Sequence, residues 1–333
     1  MIVVSMGCPA SVGPEVSVAG VRRGRQQPCV LVGSRLALQR AAELVGVRWA
    51  RFQQYHGEPL RSDRIYYLDT GPELKEADLD PRRPTRAAGR SQLAAIDAAF
   101  DLVRANPGSA LVTGPVSKAL IARSGAPGAE RFAGHTEWLQ ARDGAKSAIM
   151  CFASPRLTTS LASTHLPLQQ VPKWLTPEHV AEASFQLARF LIDLGHEQPR
   201  VAVCSLNPHA GESELLGDEE RRAIVPGIRA ARRRLRGRAE LHGPIGAESA
   251  YRLAYAGKYA GVVAMYHDQA TIPTKLVAFG DAVNVTLGLS RVRTSVDHGT
   301  AYDIAWQGKA DARGMIAAMK LAEQMIAPAD SRG

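Results

Sequence analysis

Apolar and polar positions alternate along the chain in two rhythms. Short apolar, β-branched runs recur at Ile2 to Ser5, Cys29 to Val32, Ala110 to Thr113, Ser147 to Phe152, Thr158 to Thr164, Arg200 to Leu206, Gly261 to Tyr266 and Ala282 to Leu287. These read as strands. Between them lie longer patterns of helical period, notably Ser91 to Asn106, Pro177 to Leu194 and Asp311 to Ile326. Thr176 before Pro177 is a cap ahead of a first-turn proline, and Asp311 is a cap for the last helix. Such alternation predicts α/β architecture with a largely parallel sheet. The stretch Asp78 to Gly89, charged and proline-bearing, reads as an exposed connection.

The residues that follow the strands carry the chemistry. Gly7-Cys8-Pro9-Ala10-Ser11-Val12-Gly13 follows the first strand and Gly114-Pro115-Val116-Ser117-Lys118 follows Thr113. His165-Leu166-Pro167, Asn207-Pro208-His209-Ala210-Gly211-Glu212 and His267-Asp268-Gln269 follow three later ones. Open α/β sheets bind ligands outside the carboxyl ends of their strands. Three such ends here each deliver a histidine.

Length and charge narrow the classes without naming one. A chain of 333 residues is about two average domains and needs no disulfide to complete a core. No apolar run approaches the roughly 18 residues of a membrane span. The opening Ile2-Val3-Val4 lacks the form of a signal peptide. Cys8, Cys29, Cys151 and Cys204 are widely spaced and read as reduced thiols of a cytoplasmic protein. The net charge of +9 is mostly arginine and peaks over 221–238. A nucleic-acid patch is one reading of that segment. A solvated helix face beside the acidic Asp218-Glu219-Glu220 is the plainer one, because aromatic interleaving and RNA-binding signatures are missing.

Three imidazoles from separate strand ends can bind a divalent ion and leave positions open for substrate. Neutral imidazole suits zinc, cobalt, nickel or iron alike. Any one of them alone reads as a structural side chain. Asp268 can orient a ring or accept a proton. Gly134-His135-Thr136-Glu137 is either an anion-binding cluster or a helix turn capped by threonine. Lys275, Asn284 and Arg293 are cationic or amide groups suited to phosphate or carboxylate, though each alone reads more readily as a surface residue. Neither a GxGxxG after the first strand nor a Walker motif is present, so a Rossmann site is not supported.

Taken in order, Thr164-His165-Leu166-Pro167-Leu168, Leu206 to Glu212, Met265-Tyr266-His267-Asp268-Gln269 and Asn284-Val285-Thr286-Leu287-Gly288-Leu289 resemble the 4-hydroxythreonine-4-phosphate dehydrogenase family of vitamin B6 biosynthesis. Gly114-Pro115-Val116, Gly134 to Glu137 and Arg293 to Ala301 match it too, so the resemblance spans nearly the whole chain. It implies the isocitrate/isopropylmalate dehydrogenase-like fold. That means two α/β lobes with a cleft between them, residues 1–120 plus 285–333 and residues 121–284, and an active site completed in a homodimer. The implied reaction is NAD-dependent oxidation of 4-phosphooxy-L-threonine to a β-keto acid, which decarboxylates to 3-amino-2-oxopropyl phosphate. His165, His209 and His267 would hold one divalent metal, zinc, magnesium or cobalt. His135, Thr136, Lys275, Asn284 and Arg293 would contact substrate, with Asp268 and Lys275 as candidates for the proton acceptor. His298, Gly299 and Asp303 would form the cofactor loop, where a carboxylate on the ribose favours NAD.

Two departures stand out. Cys8 occupies a usually acidic position and Ser11 replaces a glycine, which puts the family's geometry for that loop in question. A dehydrogenase of another phosphorylated four-carbon acid, of threonate or erythronate phosphate type, is the nearest alternative. A three-histidine metal hydrolase independent of NAD is the more distant one.

Overall fold

The computed structural model describes residues 1–24 and 27–327. Positions 328–333, read from sequence as the end of the first lobe, lie outside the described residues. The chain divides into two compact units, Met1–Ala145 with Leu289–Ala327, and Lys146–Gly288. The strands among the described residues are β1 (Ile2–Ser5), β2 (Cys29–Gly33), β3 (Phe52–Gln54), β4 (Ile65–Asp69), β5 (Ala110–Thr113), β6 (Ile149–Ala153), β7 (Thr158–Leu161), β8 (Arg200–Cys204), β9 (Glu240–Ile245), β10 (Gly261–Ala264), β11 (Val283–Leu287) and β12 (Val292–Val296).

In the first unit the order is β3-β4-β2-β1-β5-β12, with every neighbouring pair parallel. The helix Arg86–Ala105 packs on β1, β2 and β5, and Arg313–Ile326 packs on β12 and β5. Cover on both faces explains why β1 and β5 are apolar runs without alternation. Val3, Val30, Ile96, Phe100 and Leu111 form the centre of this core, at about 1.5–3 kcal/mol for each large apolar side chain withdrawn from water. Parallel pairing also brings Ser5, Thr113 and Ser295 level at one edge.

In the second unit the order is β11-β6-β7-β10-β8-β9. β6 pairs antiparallel with both β11 and β7, and the remaining neighbours are parallel. β10 lies between β7 and β8, so the three strands that precede His165, His267 and His209 are adjacent. The helix Val225–Leu235 turns Gly227, Ile228, Ala231 and Leu235 inward. Its arginine neighbourhood is exposed and ion-paired: Arg221 with Glu214 and Asp218, Arg222 with Asp218 and Glu219, Arg234 with Glu182. The segment has the geometry of a solvated face.

Several sequence expectations need correction. Asp78 to Gly89 is not wholly an exposed connection: Thr85 caps a helix that starts at Arg86, and Leu79, Ala88 and Gly89 are buried. A Cβ at Gly89 would stand 2.4 Å from the carbonyl oxygen of Leu120, so glycine is required there. The cap position of the last helix is Ala312, while Asp311 accepts the N–H of Arg313 at 2.9 Å. Thr176 does cap Pro177–Asp193 through the N–H of His179. All four cysteines are free and buried. No helix among the described residues is long and apolar enough to cross a membrane.

Candidate active site

The first unit gathers a cationic cradle at the edge where β5 and β12 end. Arg293 lies in β12 at 3% exposure, and its Nη2 donates to Thr113 Oγ1 at 2.7 Å. Burial pushes the guanidinium down to about 10, with Glu137 opposing the shift, so the group stays charged at neutral pH. His135 opens the helix His135–Asp143, whose cap position is Gly134 without any side-chain cap bond. Thr136, half-buried in the same first turn, is therefore not the capping residue expected on one reading of the sequence. The first-turn N–H groups of such a helix remain to be satisfied and favour negative charge.

Gly134 lies against the tips of two charged side chains. A Cβ there would stand 2.8 Å from Glu137 Oε2 and 3.2 Å from Lys118 Nζ. The Nε2 of His135 is buried and has no hydrogen-bond partner. Desolvation, then the charges of Arg293 and Lys118, hold its pKa well below the usual 6.5. The ring is thus neutral at pH 7, with one nitrogen to donate and one to accept. Arg293 and Lys118 against Glu137 leave one excess positive charge. This arrangement can take an oxyanion. Lys118, Thr113 and Glu137 are additions to the residues expected from sequence. Lys118 carried a signal there, as the residue closing the strand-end segment Gly114 to Lys118.

The second unit supplies the histidines. Ser163 donates to the carbonyl of Met265 at 2.7 Å, and Gln269 accepts the N–H of Met265 at 2.6 Å while donating to the carbonyl of Ser205 at 2.9 Å. These bonds bolt together the ends of β7, β10 and β8. The rings of His165 and His267 lie 5.6 Å apart between centroids. His267 Nδ1 is 2.8 Å from Asp268 Oδ1, so the carboxylate orients the ring and leaves Nε2 for another partner. His209 follows Asn207, whose backbone N–H donates to Glu220 and whose amide donates to Glu219 and Glu220. The chain then runs left-handed through His209 (φ 51°), Ala210, Glu212, Ser213 and Glu214. The structure pairs His165 with His267. Among the described residues it gathers no group of three His, Cys, Asp or Glu side chains able to hold a metal ion. Two imidazoles with an orienting carboxylate have donor chemistry that suits a divalent ion, and His209 stands apart from them on the adjoining strand end.

Asn284 lies in β11, and its Oδ1 is buried without a hydrogen-bond partner, ready to accept from a donor such as an ammonium. Lys275 is exposed near the end of the helix His267–Ala278.

The expected cofactor loop belongs to the first unit. Asp303 lines a cavity of about 540 Å³ together with Tyr302, Trp306 and Arg40. His298 and Gly299 are exposed and stand outside its walls, His298 Nδ1 lying 2.9 Å from the Gly299 carbonyl. The indole Nε1 of Trp306 is buried with no hydrogen-bond partner, an orphan donor that suits a ligand acceptor. Beside this loop, the thiol of Cys8 is buried and pushed up by desolvation, 3.4 Å from the Tyr302 hydroxyl. Ser11 Oγ donates to the Cys8 carbonyl and accepts the N–H of Gly13, closing the turn.

A family model described as pyridoxal phosphate biosynthetic protein PdxA matches residues 25–322. A 4-hydroxythreonine-4-phosphate dehydrogenase of Geobacter metallireducens is 38% identical over all of this chain and 97% of its own length. A D-threonate 4-phosphate dehydrogenase of Salmonella typhimurium is 33% identical, over 97% of this chain and 98% of its own. The crystal structure of 4-hydroxythreonine-4-phosphate dehydrogenase from Klebsiella pneumoniae superposes with a TM-score of 0.82 at 33% identity, covering 98% of this chain and 99% of that one.

Proposed function

The chain belongs to the PdxA family of pyridoxal phosphate biosynthetic proteins, and from that premise we propose that it oxidises 4-phosphooxy-L-threonine with NAD. The β-keto acid formed loses carbon dioxide to leave 3-amino-2-oxopropyl phosphate. Its relatives are named dehydrogenases, so the chain is an oxidoreductase and the hydrolase reading is set aside. The observation that carries the proposal is the cationic cluster at Gly134, where buried Arg293, an exposed Lys118 and a neutral His135 come together.

In this reading Arg293, Lys118 and the first turn of the helix at His135 bind the phosphate, with Thr136 as a further donor. Their charge is fixed before substrate arrives, so no reorganisation is needed at binding. The Oδ1 of Asn284 accepts from the substrate ammonium. His165 and His267, with His209 from the adjoining strand end, would hold one divalent ion of zinc, magnesium or cobalt type. When bound, the ion would supply Lewis acidity at the substrate hydroxyl and the dinucleotide an acceptor for the hydride. Asp268 is committed to His267 and serves that ring. Lys275, exposed on the helix His267–Ala278, would hold an anionic end of the substrate.

The same helix supports a homodimer. Ile272, Leu276 and Phe279 are 67, 83 and 79% exposed at helical spacing, an apolar stripe that a second copy would cover. A cytoplasmic setting accords with the four free, buried thiols. The decisive experiment compares kcat/KM for 4-phosphooxy-L-threonine and D-threonate 4-phosphate with NAD and divalent metal. The threonine ester is expected to be preferred, through Asn284. Preference for the threonate ester would assign the chain the activity named for its Salmonella relative.

A further inference from the structure

The second unit holds a cavity of about 730 Å³ that no step of the proposed reaction uses. It lies at the amino ends of β7 and β10, walled by the turn 154–158 and by the ends of the helices Pro177–Asp193 and Ala247–Tyr255. His165 and His267 follow the carboxyl ends of the same two strands. The four residues of β7 therefore stand between cavity and histidines, about 13 Å of strand.

The walls divide by chemistry. Leu157, Leu191 and Ala254 are buried and apolar, and Tyr255 and Tyr259 add two aromatic rings. The cationic side chain in the lining is Arg156, and no Asp or Glu among the described residues lines the cavity. Arg156 Nη1 donates to the Tyr255 hydroxyl at 2.9 Å, and among the described residues no carboxylate pairs with this guanidinium. The turn that carries it is fixed. Ser154 Oγ accepts the N–H groups of Arg156 and Leu157 at 3.3 and 3.0 Å and donates to the Leu157 carbonyl at 3.0 Å. Lys258 adds a second cation, its Nζ 5.9 Å from the Tyr259 ring centroid. Both bordering helix ends close their own carbonyls. That of Leu191 takes the N–H groups of Leu194 and His196, and that of Ala254 takes the N–H of Gly257. The negative ends of the two helices are thereby answered within their own turns, and the fixed charge facing the cavity is positive.

We propose that this cavity binds a planar aromatic molecule bearing a phosphate or carboxylate, its ring against Tyr255 and Tyr259 and its anion on Arg156. A guanidinium held by one hydroxyl keeps further N–H groups for a pair of acceptor oxygens. Tyrosine rings pack on an aromatic ligand, and the volume is ordinary for a small-molecule site. A bare phosphate leaves the apolar wall wet, and a neutral ring leaves the guanidinium unanswered, so the site needs both halves of the ligand. The anion cradle belongs to the other unit and the histidines to the other ends of the strands, so the substrate does not compete for this cavity. The proposal stands apart from the dehydrogenase reading.

Calorimetric titration of the full chain with phenyl phosphate tests it, with inorganic phosphate and phenol as the separate halves. The titrations are run in wild type and in Arg293→Lys, where the cradle is weakened as a rival anion site. In both, phenyl phosphate is expected to bind about tenfold more tightly than either half. Arg156→Ala should weaken it about tenfold or more, and Tyr255→Ala about tenfold through the lost ring and hydroxyl. Both side chains are exposed, so both variants should keep the wild-type melting temperature and turnover. Phenyl phosphate binding that is lost in Arg293→Lys but intact in Arg156→Ala would place the ligand in the cradle and overturn the proposal. Binding no tighter than that of inorganic phosphate would overturn it equally, as would the absence of any binding heat at millimolar ligand.

Discussion

The cradle of the first unit and the histidine pair of the second are built on opposite terms with water. Arg293 is almost wholly withdrawn from solvent, and the Nε2 of His135 is covered. His267 and Asp268 keep 40% and 70% of their side-chain surface exposed. The cradle holds Arg293 in place through β12 and Thr113, so it can read an anion by fixed charge, while Lys118 reaches in from an exposed position. The histidines gain their order from strand ends bolted by Ser163 and Gln269, and they keep nitrogen atoms accessible. A dry cluster selects; a wet one can bind and exchange a ligand. Under the proposed function the dry cluster would take the phosphate and the wet one a metal ion.

Breaking the wet side should have the largest effect on rate. His267→Ala is expected to lower kcat about a thousandfold, within the range for removing a catalytic metal or general base, and to lower metal content by elemental analysis. Because the ring is exposed, the melting temperature should barely move. Breaking the dry side is next: Arg293→Lys keeps the charge but loses the guanidinium fork, and should reduce kcat/KM about a hundredfold through KM. Metal content should stay at the wild-type level. A loss of metal in this variant would erase the distinction between the two clusters.

The smallest effect is on stability. An unfolded chain protonates His135 near the usual 6.5, whereas the folded chain holds that pKa well lower. The unfolded state therefore gains a proton that the folded state refuses. Stability is full above that pH and falls as pH drops below it, at roughly 1.4 kcal/mol per pH unit at most from this ring. Urea melts of wild type and His135→Gln between pH 7.5 and 5.5, with values of about that spacing chosen to bracket the histidine range, should diverge, the variant losing less.

Much of this was legible in the sequence, and the omissions have physical causes. β1 and β5 were found to the residue because a strand covered on both faces is an apolar run. β12 was not expected as a strand, because Arg293, Thr294 and Ser295 interrupt its apolar character and Arg293 serves the cradle. β9, with its Gly-Pro step, and the three-residue β3 carry little pattern at all. Gly134 to Glu137 reads in sequence as either an anion cluster or a helix turn, and Arg293 as a separate cation; only the fold brings their charges together. Lys118 needed the structure, since its approach to Gly134 depends on how the segment after β5 turns. Trp306 left no trace in composition, because left-handed backbone at a tryptophan is a property of the fold.

The division between the clusters is tested most directly by calorimetric titration of metal-stripped protein with 4-phosphooxy-L-threonine. Wild type is expected still to bind the ester, within about tenfold of the metal-loaded affinity, and Arg293→Lys to bind it about a hundredfold more weakly. Binding that vanishes on metal removal, or that survives intact in Arg293→Lys, would contradict it.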